Sequence, residues 1–231
     1  MSTYLQLTVD LRRECGIAGT GPTGVTGQVG ELARVVEWIA QAYTEIQNSK
    51  PNWRWLRSEF TLATVADDDD YIYSDCTDTI DSAVISRFRR WYPHEFKIYL
   101  ASAGVGTERW LTYQPWDYFK RSYKIATQNS GSPAVVTIDP RNHIRLGVKP
   151  DAVYTVTGEY QKSAQILAAD GDTPEMPEDY HMLIVYYAMW KYASNVAAPE
   201  VWQHAKAEAS RMYNDLVRDQ APEPSFAPPL C

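Results

Sequence analysis

The chain has 231 residues, 45% hydrophobic and 22% charged, the balance of an ordinary folded protein rather than a disordered one. Its formal net charge of −7 argues against tight binding of nucleic acid, because no block of Lys and Arg is available to neutralise phosphates. Three widely spaced cysteines, Cys15, Cys76 and Cys231, fit neither a disulfide framework nor a zinc site and read as reduced thiols.

From Thr3 to Cys15, Leu5 and Val9, and Leu7 with Leu11, lie at helical spacing and predict a short amphipathic helix. Asp10, Arg12 and Arg13 stand where a secretory signal would need an apolar core, so the chain reads as a soluble intracellular product. Six of the twelve glycines then crowd between Gly16 and Gly30. Gly19, Gly21 and Gly24 spell G-x-G-x-x-G, but a dinucleotide loop needs a buried strand before it, and Asp10 to Cys15 is too polar. No Gly-Lys-Ser/Thr closes the run either. The segment is expected to be a flexible helix-to-helix connector that binds no nucleotide, with glycine supplying positive-φ conformations and Gly16 a helix C-cap.

Leu32, Val35, Val36, Ile39, Tyr43 and Ile46 form one apolar stripe, predicting a helix from about Gln28 to Asn48 that stops before Pro51. Trp53, Trp55 and Leu56 suggest an aromatic-anchored turn packed in a core. The character changes at Glu59. Residues 60–65, 71–73, 96–100, 134–138, 144–146 and 153–156 read as strands, with Asp139-Pro140-Arg141-Asn142 turning a hairpin and Trp116–Phe119 a short helical piece. Helix resumes from Asp179 to about Ala197, with Met182, Val185, Tyr186, Met189 and Ala193 on one face. The longest apolar run, Leu183 to Trp190, is too short to span a bilayer. A last helix opens at Pro199 and carries Trp202, Ala205, Ala209, Met212 and Leu216. Beyond it Pro222, Pro224, Pro228 and Pro229 favour an extended tail in which Phe226 and Leu230 are the large apolar residues.

The expected fold is therefore α+β: a discontinuous helical bundle (1–58 and 169–219), a β-rich insert (59–168) and an extended tail (220–231). Candidate chemistry is sparse. Asp67 to Asp70, with Asp75, Asp78 and Asp81 nearby, is a dense acidic run, but it lacks the alternation, glycine and distant Glu of a calcium loop and reads as a solvated hairpin or loop. His94, His143, His181 and His204 fall in no H-E-x-x-H pattern, and the last two read as surface residues of helices. No catalytic residue, metal site or cofactor is assigned. The aromatic content of 13% favours an assembling protein, although a carbohydrate-binding surface would use the same residues.

Read along its full length, the chain resembles the head-to-tail adaptor (connector) proteins of tailed bacteriophages. The resemblance runs through Thr3–Leu7 and Leu11–Ile17, the Gly/Thr connector, Gly30–Ile39, Ile46-Gln47, Trp53–Leu56, Leu167–Asp170, Pro177–His181 and the apolar helix to Ala193. It implies a non-enzymatic virion protein, assembled in the host cytoplasm, that forms a homo-oligomeric ring, typically dodecameric, beneath the portal. Such a ring extends the DNA channel without sequence-specific contacts, offers a surface to tail or nozzle proteins, and touches no membrane. The family's C-terminal extensions commonly reach the portal, which makes Pro222, Pro224, Phe226, Pro228, Pro229 and Leu230 candidate portal-docking residues. Two other readings stand beside it: a tail-completion or baseplate subunit, and a carbohydrate-binding or depolymerising tail protein using the β-rich segment.

Overall fold

A computed structural model describes residues 2–125 and 129–220. In chain order its elements are α1 (Tyr4–Glu14), α2 (Gly30–Asn48), β1 (Arg57–Ala63), β2 (Asp70–Tyr71), β3 (Thr77–Asp78), β4 (Arg90–Leu100), β5 (Arg109–Trp110), β6 (Thr112–Tyr113), α3 (Trp116–Tyr123), β7 (Val135–Ile138), β8 (Ile144–Leu146), β9 (Tyr154–Gln161), α4 (His181–Val196) and α5 (Pro199–Gln220). The protein is mixed α+β, with these five helices and two sheets among the described residues. It separates into two compact units, one of residues up to 56 together with those from 164 onward, the other of residues 57–163.

In the helical unit α4 packs against α1, α2 and α5. The α1 start is capped by the Thr3 hydroxyl, which accepts from the Gln6 amide at 3.2 Å. Its end is a Schellman arrangement: Gly16 takes φ +65, its amide donates to Arg13, and the Ile17 amide donates to Arg12. Leu7, Leu11, Val35, Ile39, Tyr43, Ile46, Leu183, Ile184, Val185 and Ala188 form one core together with Ala205, Ala209 and Leu216. The stripe expected on α4 is too narrow: Leu183, Ile184 and Ala188 are fully buried, whereas Met182 and Tyr186 are only partly so. Helices press on α4 from several sides, so apolar residues surround most of it. His181, expected at the surface, is also buried, because it begins this central helix; its Nε2 lies 2.9 Å from the Met176 carbonyl.

The connector between α1 and α2 is anchored rather than loose. Asp170 accepts the Val25 amide at 2.6 Å, Arg12 donates to the Gly21 carbonyl at 3.3 Å, and Val25 enters the helical core. Gly24 packs over the same carboxylate, where an added Cβ would meet Asp170 Oδ2 at 3.3 Å. The preceding element is helix α1, the opposite of what a dinucleotide loop requires.

The β-rich unit holds a five-stranded antiparallel sheet, order β3-β1-β9-β4-β5, and a four-stranded sheet, order β2-β8-β7-β6, in which β6 and β7 run parallel. Alternation places Ser58, Phe60 and Leu62 inward and Arg57, Glu59 and Thr61 outward on β1. Phe60, Trp91, Phe96, Ile98, Val156 and Tyr160 build the core beneath it. Four strand expectations need correction. That at 60–65 begins at Arg57 and ends at Ala63, because the ladder with β9 runs only from Arg57 to Ala63. Residues 71–73 are strand only at Tyr71, because the Asp75 carboxylate accepts the Ile72 amide at 2.8 Å and turns the chain. The strand expected at 96–100 begins at Arg90, since a register shift between Tyr92 and Lys97 takes Pro93 out of the ladder. That expected at 153–156 starts at Tyr154 and continues through Gly158 to Gln161.

Candidate interaction surfaces

The groups that could do chemistry are scattered. His94 lies against Tyr113 with ring centroids 4.8 Å apart, and exposed His204 stands 6.1 Å from Tyr186. His143 Nδ1 lies 2.8 Å from Asp70. Burial, with Glu14 and Glu31, pushes the Cys15 thiol up to about 12, and burial with Asp75 likewise raises Cys76, so neither is a ready thiolate.

The acidic run is not simply solvated, as the charge pattern suggested. Asp67 adopts φ +64 and bonds Ser130, while Asp68 accepts the Asp70 amide at 3.1 Å. Asp69 pairs with Lys124, and Arg145 reaches Asp70 at 2.6 Å and Asp139 at 3.4 Å. The carboxylates tie the β2 turn to β8 and α3. Among the described residues no group of three or more His, Cys, Asp or Glu is placed to hold a metal ion. Asp78 is buried and accepts from Ser58 at 2.8 Å, from Tyr160, and from the Ile80 amide at 2.8 Å. Burial alone would raise its pKa, but these bonds and Lys162 overcome that and hold it below the ordinary range.

Two of the surface depressions among the described residues carry tryptophan. In the helical unit a groove of about 530 Å³ is lined by Trp38, Gln41, Tyr187 and Trp190, with Lys191 paired to Glu45 at its side. In the β-rich unit a depression of about 210 Å³ lies on the outer face of the five-stranded sheet, among Glu59, Thr61, Glu95, Lys97, Trp110 and Glu159. Composition pointed to aromatic surfaces, but the first depression exists only once α2 packs on α4, and the second only once the strands of the sheet are in register. The residues proposed from sequence for docking, Pro222, Pro224, Phe226, Pro228, Pro229 and Leu230, lie outside the described residues.

A family model described as SU10 adaptor protein matches residues 2–230. The chain belongs to the SU10 adaptor protein family. This agrees with the head-to-tail adaptor resemblance and identifies a structural phage protein of the virion, whose family role implies portal and tail proteins as partners. No curated protein matches the chain. No helix among the described residues of this SU10 adaptor family member is long and apolar enough to cross a membrane.

Proposed function

We propose that the protein forms a homo-oligomeric, dodecameric ring below the portal, extends the DNA channel and offers its far side to the tail or its nozzle. The observation that carries this reading is the family match across residues 2–230. Within it the helical unit is a body built from both ends of the chain, and the β-rich unit is its insert. The aromatic groove beside Trp38 and Trp190 suits a protein interface, where Trp and Tyr are enriched. An acidic chain, at net charge −7, would let DNA pass without gripping it. The protein acts without catalysis or cofactor, and Pro222, Pro224, Phe226, Pro228, Pro229 and Leu230 of the tail are its portal-docking residues.

Negative-stain microscopy of the purified protein, alone and with its portal, tests the reading. Rings seated coaxially on the portal are expected. A protein that stays monomeric beside portal rings would refute it.

A further inference from the structure

The outer face of the five-stranded sheet carries charges that its own partners leave unanswered. β1 and β9 are in register so that Glu59 lies directly opposite Glu159. Like charges at such positions repel. Arg57 answers Glu159 and stacks on Tyr92 at 4.4 Å, and Lys97 pairs with Glu108 at 3.3 Å. The carboxylates of Glu59 and Glu95 have no ion pair among the described residues. Glu95 stands in the register shift of β4, the feature that brings it to this face.

Between these carboxylates and Trp110 lies the depression of about 210 Å³. Trp110 is 59% exposed on a two-residue strand, a large apolar group with no structural need to be at the surface. The Lys97 ammonium sits 4.9 Å from its ring centroid, so the indole already binds one cation. Thr61 and Thr157 offer hydroxyls between them.

We propose that this depression receives an arginine side chain from a basic segment of a protein partner. The guanidinium would be held by Glu59 and Glu95 and laid against Trp110. A planar cation meets both demands, carboxylate pairing and aromatic stacking, where a compact ammonium meets chiefly the first. A neutral saccharide could stack on Trp110 but would leave the Glu59–Glu159 repulsion in place. Nucleic acid and anionic membrane would be repelled. The proposal rests on the adaptor reading only in taking the partner to be another virion protein.

Calorimetry at low salt with a capped peptide carrying two arginines tests it, alongside its lysine counterpart and a chitin hexasaccharide. The arginine peptide should bind the wild-type protein saturably and more tightly than the lysine peptide. The pair Glu59→Gln with Glu95→Gln, and separately Trp110→Ala, should each weaken binding by about tenfold or more, roughly 1.4 kcal/mol. The pair Asp117→Asn with Glu200→Gln removes equal charge from exposed positions elsewhere and should change binding less than about twofold. Circular-dichroism melts confirm folding; should Trp110→Ala fail to fold, the double Gln variant decides alone. No saturable binding, equal weakening by the control pair, or saccharide binding lost with Trp110→Ala would each overturn the proposal. Because the peptide needs no ring, rings on the portal with no peptide binding would refute this site and leave the adaptor reading intact.

Discussion

The Val25 amide donates to the Asp170 carboxylate at 2.6 Å, joining the glycine connector to a segment 145 residues further along the chain. The same segment holds the chain entering α1, since the Leu5 amide donates to the Asp170 carbonyl at 3.2 Å and the Tyr4 amide to that of Asp172 at 2.7 Å. One short stretch thus holds the chain both at Tyr4 and Leu5, where α1 begins, and at Val25 in the connector, so a run rich in glycine keeps a defined path.

Replacing Asp170 with Ala should therefore lower the stability of the helical unit by about 1–3 kcal/mol, the usual cost of orphaning a donor bonded to a carboxylate. Hydrogen exchange should show faster exchange at Val25. Asn, which keeps the acceptor, should recover part of the loss. If Asp170→Ala leaves both the melt and the Val25 amide unchanged, the connector is held by something else.

Gly158 carries a second, steric constraint. It faces the register shift of β4, and a Cβ there would collide with the Phe96 ring and approach Phe60 Cε1 at 3.1 Å. Both rings belong to the core, so neither can move into solvent. Gly158→Ala should destabilise the β-rich unit by about 1–3 kcal/mol. Pairing it with Phe96→Leu should recover some of that, and an additive double mutant would show that the contact is not the cause.

The helices of the outer layer were legible because one face of each is wet: Val35, Ile39, Tyr43 and Ile46 are buried while Glu31, Glu37 and Gln41 are exposed. The centre was less so. Helix α4 has neighbours on several sides, and the burial of Leu183, Ile184 and Ala188 erases the stripe by which it would be read. β5 and β6 have two residues each, too few for any alternation to show. Pro93 and Gly158 disguised the two long central strands, although both belong to a shift that local propensity does not encode. The surface sites were hidden for a related reason. Glu59 and Glu159 are remote in sequence, and their opposition exists only once β1 and β9 are in register.

Ile39 tests the helical core itself. It is fully buried on α2, in one cluster with Val185 and Met189 of α4. Ile39→Ala should cost about 2–5 kcal/mol, depending on how far α4 can close the cavity. Chemical denaturation should show a lower midpoint with little change in slope. A loss under about 0.5 kcal/mol would mean that this side chain is not packed as described.

Removing residues 221–231 separates folding from attachment. Ile39, Leu183 and Leu216 all lie upstream of the cut, so the helical core formed by the described residues stays whole. The shortened protein should keep its far-ultraviolet dichroism and melting temperature but fail to co-sediment with portal rings. Undiminished co-sedimentation would dismiss Pro222, Pro224, Phe226, Pro228, Pro229 and Leu230 as the docking residues.

Acid should act on the β-rich unit through Asp78 and Asp139. Burial opposes ionisation of each, but hydrogen bonds and nearby cations win, so both carboxyls are held below their ordinary value of 3.8. A depressed folded pKa contributes stability that is fully present above the unfolded value. That contribution is lost as the pH falls through 3.8 and on through the folded pKa. Above about pH 5 neither group should make stability depend on pH. Asp78→Asn should remove its share of the acid slope. It should also lower stability at neutral pH by about 1–3 kcal/mol, because Ser58 and Tyr160 lose an ionised acceptor. Melting temperatures measured between about pH 2 and pH 7 check both halves of the prediction. An Asp78→Asn protein as stable as the wild type at neutral pH, with the same acid slope, would show that the buried carboxylate contributes nothing.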